Sequence, residues 1–214
     1  MPASPDVVET VGGNPWVFGY GSLVAAGEIE RAIGRPIDAA SHYGTAALVG
    51  YRRTWNAGMR NLHDDPTDKH YELPDGTRPD RTISALGIEP DQTSRVNGVV
   101  FRVTRAELNA LDRRERRYRR IECSLQIVAE LPMAGQVFTY LPLASATRLT
   151  TAGQADGSDT ISEDYKLLVE RGFQSLGPDA YAEYLASTDI PISPVMPLRI
   201  KRPGQTARSG NGAN

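Results

Sequence analysis

The sequence predicts an α+β fold, in which consecutive short strands with few crossover helices between them build a mostly antiparallel sheet, open or closed into a barrel. Three observations carry this expectation. The apolar run WVFGY, Trp16 to Tyr20, reads as a short buried strand. Apolar residues alternate at Ile121, Cys123, Leu125 and Ile127, the pattern of a strand with one buried face. Helical periodicity is confined to a few short segments, so no βαβ alternation is written into the chain.

In chain order, WVFGY is followed by a glycine loop and then by GEIERAI, which suits a helix. TAALVGYRRTW, Thr45 to Trp55, reads as a second strand. The polar run between Met59 and Arg81 reads as a long surface loop. VNGVVFRV, Val96 to Val103, has the β-branched character of a strand. After it, Thr104 and Glu107 stand three apart as a capping box, in which each side chain satisfies the other's unpaired amide, and so start a helix over TRAELNALDRRE. QVFTYLPL is expected to pair antiparallel with the strand near Ile121, with Leu131 to Gly135 as the turn. SEDYKLLVERG and PDAYAEYLA then read as two helices punctuated by Gly172 and Pro178. Residues 1–14 and the stretch 201–214 are polar and rich in Gly, Pro and Ser, and are expected to be mobile arms flanking a single domain over 15–200. No internal repeat is visible.

Composition narrows the function classes. The 214 residues are 40% hydrophobic and 23% charged, as in ordinary globular domains, and the net charge of −2 gives no general attraction to nucleic acid or anionic membrane. No apolar stretch approaches the ~18 residues of a membrane span, and the N-terminus carries no signal-peptide pattern, so a cytoplasmic protein is expected. The single cysteine, Cys123, cannot form an intrachain disulfide or a multi-cysteine metal site and reads as a small buried apolar residue.

The first candidate for chemistry is Gly19-Tyr20-Gly21-Ser22. The dinucleotide fingerprint would need glycine where Val24 stands. The nucleophile elbow would need glycines where Tyr20 and Val24 stand, and only His42, His63 and His70 are available for a serine triad. Two readings remain: backbone amides ahead of a helix that hold a carboxylate or oxyanion, or a tight turn in which the glycines merely let the chain reverse.

The second candidate is Glu115. Leu108 and Leu111 are three apart and Glu115 lies four further on, so the three share one helical stripe. If that stripe faces the core, a carboxylate sits at the inner end of a helix C-terminus, placed for general acid–base work. The alternative is an exposed glutamate in a frayed last turn. Arg114 and Arg116 flank it, although helical neighbours normally face elsewhere.

The arginines of RRERRYRR, with Tyr118 as a stacking surface, would suit a nucleic-acid patch. They straddle a helix end and a strand start, however, and should splay over different faces as a solvated rim. His63 and His70 with Asp64 and Asp65 match no metal-ligand spacing.

FGYGSL, GYRRTWN, VNGVVFRV, LDRRERRYRR, FTYLP and DYKLLVERGFQSLGPDAYAEYL, in that order from about Trp16 to Leu185, resemble the γ-glutamylcyclotransferase-like family. The resemblance implies a mixed α+β fold around a small, mostly antiparallel β-barrel with peripheral helices, and no cofactor. It implies release of 5-oxoproline from a γ-glutamyl amide or amine as the substrate's own α-amine attacks its γ-carbonyl. The substrate is then a small molecule, with no nucleic-acid or membrane partner. Carried over residue by residue, Tyr20, Gly21, Ser22 and Leu23 would bind the glutamyl group, Tyr140 would line the pocket and Glu115 would be the catalytic acid/base. Arg116 stands where a glycine often follows the family's glutamate, and the insertion between Met59 and Arg81 would form a lid or alter the substrate. The alternative function is a non-catalytic binding module with a carboxylate pocket and an arginine-rich partner surface, favoured if Arg116 or the insertion blocks the pocket.

Overall fold

The computed structural model describes residues 13–38 and 42–203. Most of the expected N-terminal arm and the tail beyond Pro203 lie outside the described residues. Lys201 to Pro203, expected to begin the tail, are described and structured.

Trp16–Gly19 forms β1, buried at every position. That fits its lack of alternation, because β1 runs inside the sheet with residues packed on both faces. A short 3₁₀ turn over Ser22–Val24 leads into α1, Ala26–Ile33. Next come β2, Tyr43–Arg60, and β3, His70–Glu72; β4, Thr82–Arg102, follows. The helix α2, Arg105–Arg114, begins at the expected capping box: Thr104 accepts from the Glu107 amide and Glu107 from the Thr104 amide. Then follow β5, Tyr118–Glu122, β6, Ile127–Ala129, β7, Val137–Pro142, and α3, Ala144–Asp156. The chain continues through β8, Asp159–Ser162, α4, Glu163–Ser175, and α5, Pro178–Ala186. It closes with β9, Val195–Met196, and β10, Arg199–Lys201.

The main sheet runs β5-β7-β1-β4-β2-β6, with β8 beside the start of β4 and β9 beside β8. Most neighbours are antiparallel; β1–β7, β4–β8 and β8–β9 are parallel. Its spine is the β2–β4 pair, in register from Tyr43↔Phe101 to Arg60↔Thr82 through two irregularities. β5 pairs with β7 as expected, from Tyr118↔Pro142 to Glu122↔Phe138.

Several expectations need correction. The sheet is not closed into a barrel: β5 pairs with β7 and three-residue β6 with β2, so the strands at the two ends do not meet. The alternation from Ile121 to Ile127 is not one strand, because a 3₁₀ turn over Ser124–Gln126 breaks it and leaves Leu125 98% exposed. The surface loop after Met59 contains β3, which pairs with β10 in a separate two-stranded sheet. Cys123 is buried, as expected, and burial pushes its thiol up to about 12.

The helix α3 carries no apolar stripe because its contact face is built of small residues. Ala146, Thr150 and Gly153 are buried, and a Cβ on Gly58 of β2 would lie 2.7 Å from Thr150 Oγ1. One core cluster joins Val17, Val99, Phe101, Leu108, Leu111, Ile161, Val169 and Phe173 between the sheet and α1, α2 and α4. A second packs Trp16, Phe18, Leu48, Val96, Val100 and Cys123 on the opposite face.

Candidate active site

The glycine loop lies at the end of β1, against β4. Gly19 is required there by close approach: a Cβ would stand 2.5 Å from the Leu23 carbonyl oxygen and 2.8 Å from Leu23 Cβ. The amides of Val24 and Ala25 are committed to the turn, donating to the carbonyls of Gly21 at 3.0 Å and Ser22 at 3.2 Å.

Glu115 is the C-cap of α2, its amide donating to the Leu111 carbonyl at 2.8 Å. Leu108 and Leu111 are buried and the Glu115 side chain is 16% exposed, so the stripe faces inward. Every predicted site residue, Tyr20, Gly21, Ser22, Leu23, Tyr140 and Glu115, lines one narrow recess of about 30 Å³. That volume suits a group the size of a carboxylate rather than a whole glutamyl moiety. The recess abuts a cavity of about 430 Å³; Ser22 and Glu115 line both spaces.

Phe18, Gly19, Leu86 and two further tyrosines, Tyr118 and Tyr165, form the rest of the recess. Tyr20 Oη donates to the Tyr140 carbonyl at 2.6 Å, and Tyr140 Oη donates to Asp112 Oδ1 at 2.9 Å. Burial, reinforced by the Asp112 charge, holds the Tyr140 phenol well above its usual range and keeps it a neutral donor. Tyr118 Oη donates to the Leu86 carbonyl at 2.8 Å, and the Leu86 amide donates to Tyr165 Oη at 3.3 Å. Tyr118 is therefore a wall of the recess and no free stacking surface.

Sequence reasoning missed the charges behind Glu115. Arg114 turns inward, against the usual divergence of helical neighbours. Its guanidinium pairs with Glu115 and donates to Ser22 Oγ at 3.3 Å and Glu28 Oε2 at 3.2 Å. Glu28 is only 4% exposed and also meets Arg31, and Arg202 at 2.9 Å. Burial works to raise the Glu28 carboxyl, but the Arg31 hydrogen bond and the Arg202, Arg114 and Arg31 charges outweigh it and hold the group below its ordinary 4.5. A glutamate in the first turn of an amphipathic helix gives no sequence signal for such a role.

The other arginines of RRERRYRR splay as the helix-to-strand junction predicts. Arg116 meets Asp65 at 2.5 Å and Thr67 Oγ1 at 2.8 Å, Arg117 pairs with Asp68, and Arg120 meets Asp112 at 2.6 Å. The insertion is thereby tied to the end of α2. Its Thr67, Asp68 and Lys69 form one wall of the larger cavity and leave it open. His63 and His70 face the Lys69 carbonyl and Glu72, each at 3.0 Å.

Among the described residues no helix is long and apolar enough to cross a membrane. Among curated proteins no relative matches the chain. Among solved structures, one named Gamma-glutamyl cyclotransferase is 16% identical, with a TM-score of 0.52, over 86% of this chain and 95% of its own. An uncharacterized protein from Homo sapiens is 17% identical, with a TM-score of 0.50, over 82% and 88%. YkqA from Bacillus subtilis is 18% identical, with a TM-score of 0.50, over 82% of this chain but 54% of its own. At these identities the likeness is one of fold. Residues 17–161, about two thirds of the chain, match a family described as Gamma-glutamyl cyclotransferase, AIG2-like, and the chain belongs to that family.

Proposed function

We infer that this chain has a cyclotransferase-type function acting on a small molecule, a reading that membership of the family supports. We propose that this chain releases 5-oxoproline from a γ-glutamyl amide or amine without a cofactor, with Glu115 as general acid/base. The observation that carries the reading is the place of Glu115, whose carboxylate stands where the glycine-loop recess opens into the larger cavity.

In this reading the substrate's carboxylate end, or the oxyanion that develops on its γ-carbonyl, enters the recess. There the backbone of Gly21, Ser22 and Leu23 receives it, while Tyr140, its hydroxyl donated to Asp112, walls the recess. Glu115 takes a proton from the α-ammonium, and the freed amine attacks the γ-carbonyl carbon to close a five-membered lactam. The amide C–N bond then breaks as Glu115 returns the proton to the departing amine, and the ring nitrogen's second proton passes through Glu115 to that amine, which leaves as the ammonium. Holding nucleophile and carbonyl together in a folded substrate supplies much of the rate, since attack is intramolecular. Arg114 fixes the Glu115 carboxylate and the Ser22 hydroxyl relative to each other. Ser22 is in this scheme a ligand and not a nucleophile.

The test is incubation with a panel of γ-glutamyl amino acids, γ-glutamyl amines and glutathione, with 5-oxoproline assayed chromatographically. Glu115→Gln is expected to lower kcat by roughly 100-fold to 10,000-fold while substrate still binds. Binding of the panel with no product from any member would sink the reading in favour of a binding module. A Glu115→Gln chain with near-wild-type kcat would sink the mechanism.

A further inference from the structure

The walls of the larger cavity are not electrically balanced. Glu28, buried at the base, is the carboxylate partner of Arg31, Arg202 and, shared with Glu115, Arg114. Lys69 enters from the insertion, its Nζ 5.9 Å from the centre of the Tyr165 ring and 6.0 Å from that of Tyr71, without a carboxylate partner among the described residues. Arg113 adds a further cation to the wall, whereas Asp68 is paired with Arg117 and Arg116 with Asp65. Five cations, Arg31, Lys69, Arg113, Arg114 and Arg202, thus line the space against two carboxylates, Glu28 and Glu115.

A purely structural ion cluster would be expected to close its charge, because each unpaired cation taken from water costs free energy. This one does not, and it surrounds open space instead of packed side chains. Arg202 registers the strain: burial, and the like charges of Arg31 and Arg114, lower its guanidinium against the pull of Glu28.

We infer that this cavity is a second subsite, distinct from the glycine-loop recess, which takes a compact dianionic group on the leaving portion of the substrate. Lys69 and Arg202 are its specificity-determining residues. The inference rests on the proposed cyclotransferase reading. Two carboxylates, as on an acidic amino acid, and one phosphate monoester offer the same double charge.

The experiment compares kcat/KM for γ-glutamylglutamate and γ-glutamyl-O-phosphoethanolamine, whose leaving portions are dianionic, with the neutral γ-glutamylbutylamide. At least one dianionic substrate is expected to be favoured roughly 100-fold, since each charge-assisted contact is worth about a factor of ten. The advantage should lie mainly in KM and shrink as salt screens it. Which dianion is preferred separates the two sources. Lys69→Gln, on the half-buried wall, is expected to cut the ratio about tenfold, and Arg202→Gln to cut it likewise. A wild-type ratio within threefold of unity overturns the subsite while leaving the cyclotransferase reading standing, and so does a ratio that neither variant moves. If no member of the panel is turned over, the cyclotransferase reading falls by itself. Calorimetric titration of the wild type with γ-glutamylglutamate against γ-glutamylbutylamide then decides the subsite, and equal affinities would overturn it.

Discussion

Glu115 and Arg114 are adjacent in sequence, yet only one of their orientations was legible there. Three-and-four spacing places Glu115 on one stripe with Leu108 and Leu111, and Glu115 does line the site. The same helical geometry points Arg114 elsewhere. The helix ends between them: Glu115, with φ −88° and ψ 46°, has left helical geometry, and Glu28 supplies a buried anion that draws the Arg114 guanidinium in. Glu28 is accordingly the residue whose loss should be felt most in this cluster. Glu28→Gln leaves three guanidinium groups facing one another and is expected to cost roughly 3–5 kcal/mol of stability. The pH dependence follows from linkage. The Glu28 carboxyl lies lower in the folded protein than its ordinary 4.5, so its contribution is fully present above about pH 4.5 and is lost as pH falls through the lower folded value. Urea unfolding of both chains between about pH 3 and about pH 7 should show the gap constant at the upper end and closing at the lower. A gap that widens on acidification would contradict the assignment.

Elements whose signals lie in near neighbours were readable, and those defined by distant contacts were not. The helix α2 was announced by Thr104 and Glu107, and both halves of the capping box form. Thr104→Ala should therefore lower stability by about 1 kcal/mol, visible as a reduced Tm, because one first-turn amide loses its acceptor. Thr104 stands at the opposite end of α2 from Glu115, so KM for whichever substrate of the proposed panel is turned over should be unchanged, and a shift in KM would argue for coupling along the helix. The strand β1 was readable as a fully apolar run. By contrast α3, with small buried residues and no apolar stripe, shows itself only when Gly58 brings β2 against Thr150. The strand β3 is a three-residue segment stabilised by β10 from more than 120 positions away. Glu122 ends β5 before the alternation ends, because the chain turns to start β6 on the other side of the sheet.

At the scale of the molecule, one buried arginine ties the sheet to the C-terminal helices. Arg53, within GYRRTWN, is 0% exposed and stacks 4.8 Å from the Phe173 ring of α4 and 5.0 Å from the Tyr184 ring of α5. It donates to Thr188 Oγ1 at 2.9 Å and Asn97 Oδ1 at 3.1 Å, and burial lowers its guanidinium to about 10. Arg53→Ala removes both the packing and the donors and should cost roughly 3–5 kcal/mol, measured as a lower urea midpoint with unchanged slope. A loss below about 1 kcal/mol would mean that the cost of burying the charge already cancels those contacts. The sequence by itself determined the α+β class, the family resemblance, the shared stripe of Leu108, Leu111 and Glu115 and the bare loop at the end of β1; that the stripe faces inward was decided by the fold. Strand runs, helical spacing and capping are interactions between residues a few positions apart, so they can be read along the chain. Only the tertiary structure decided that the sheet stays open and that the insertion walls the cavity without filling it. It also brought Arg202 from the chain's far end beside Glu28. Those outcomes depend on which distant groups compete for the same buried charge or strand edge, and no local pattern encodes that competition.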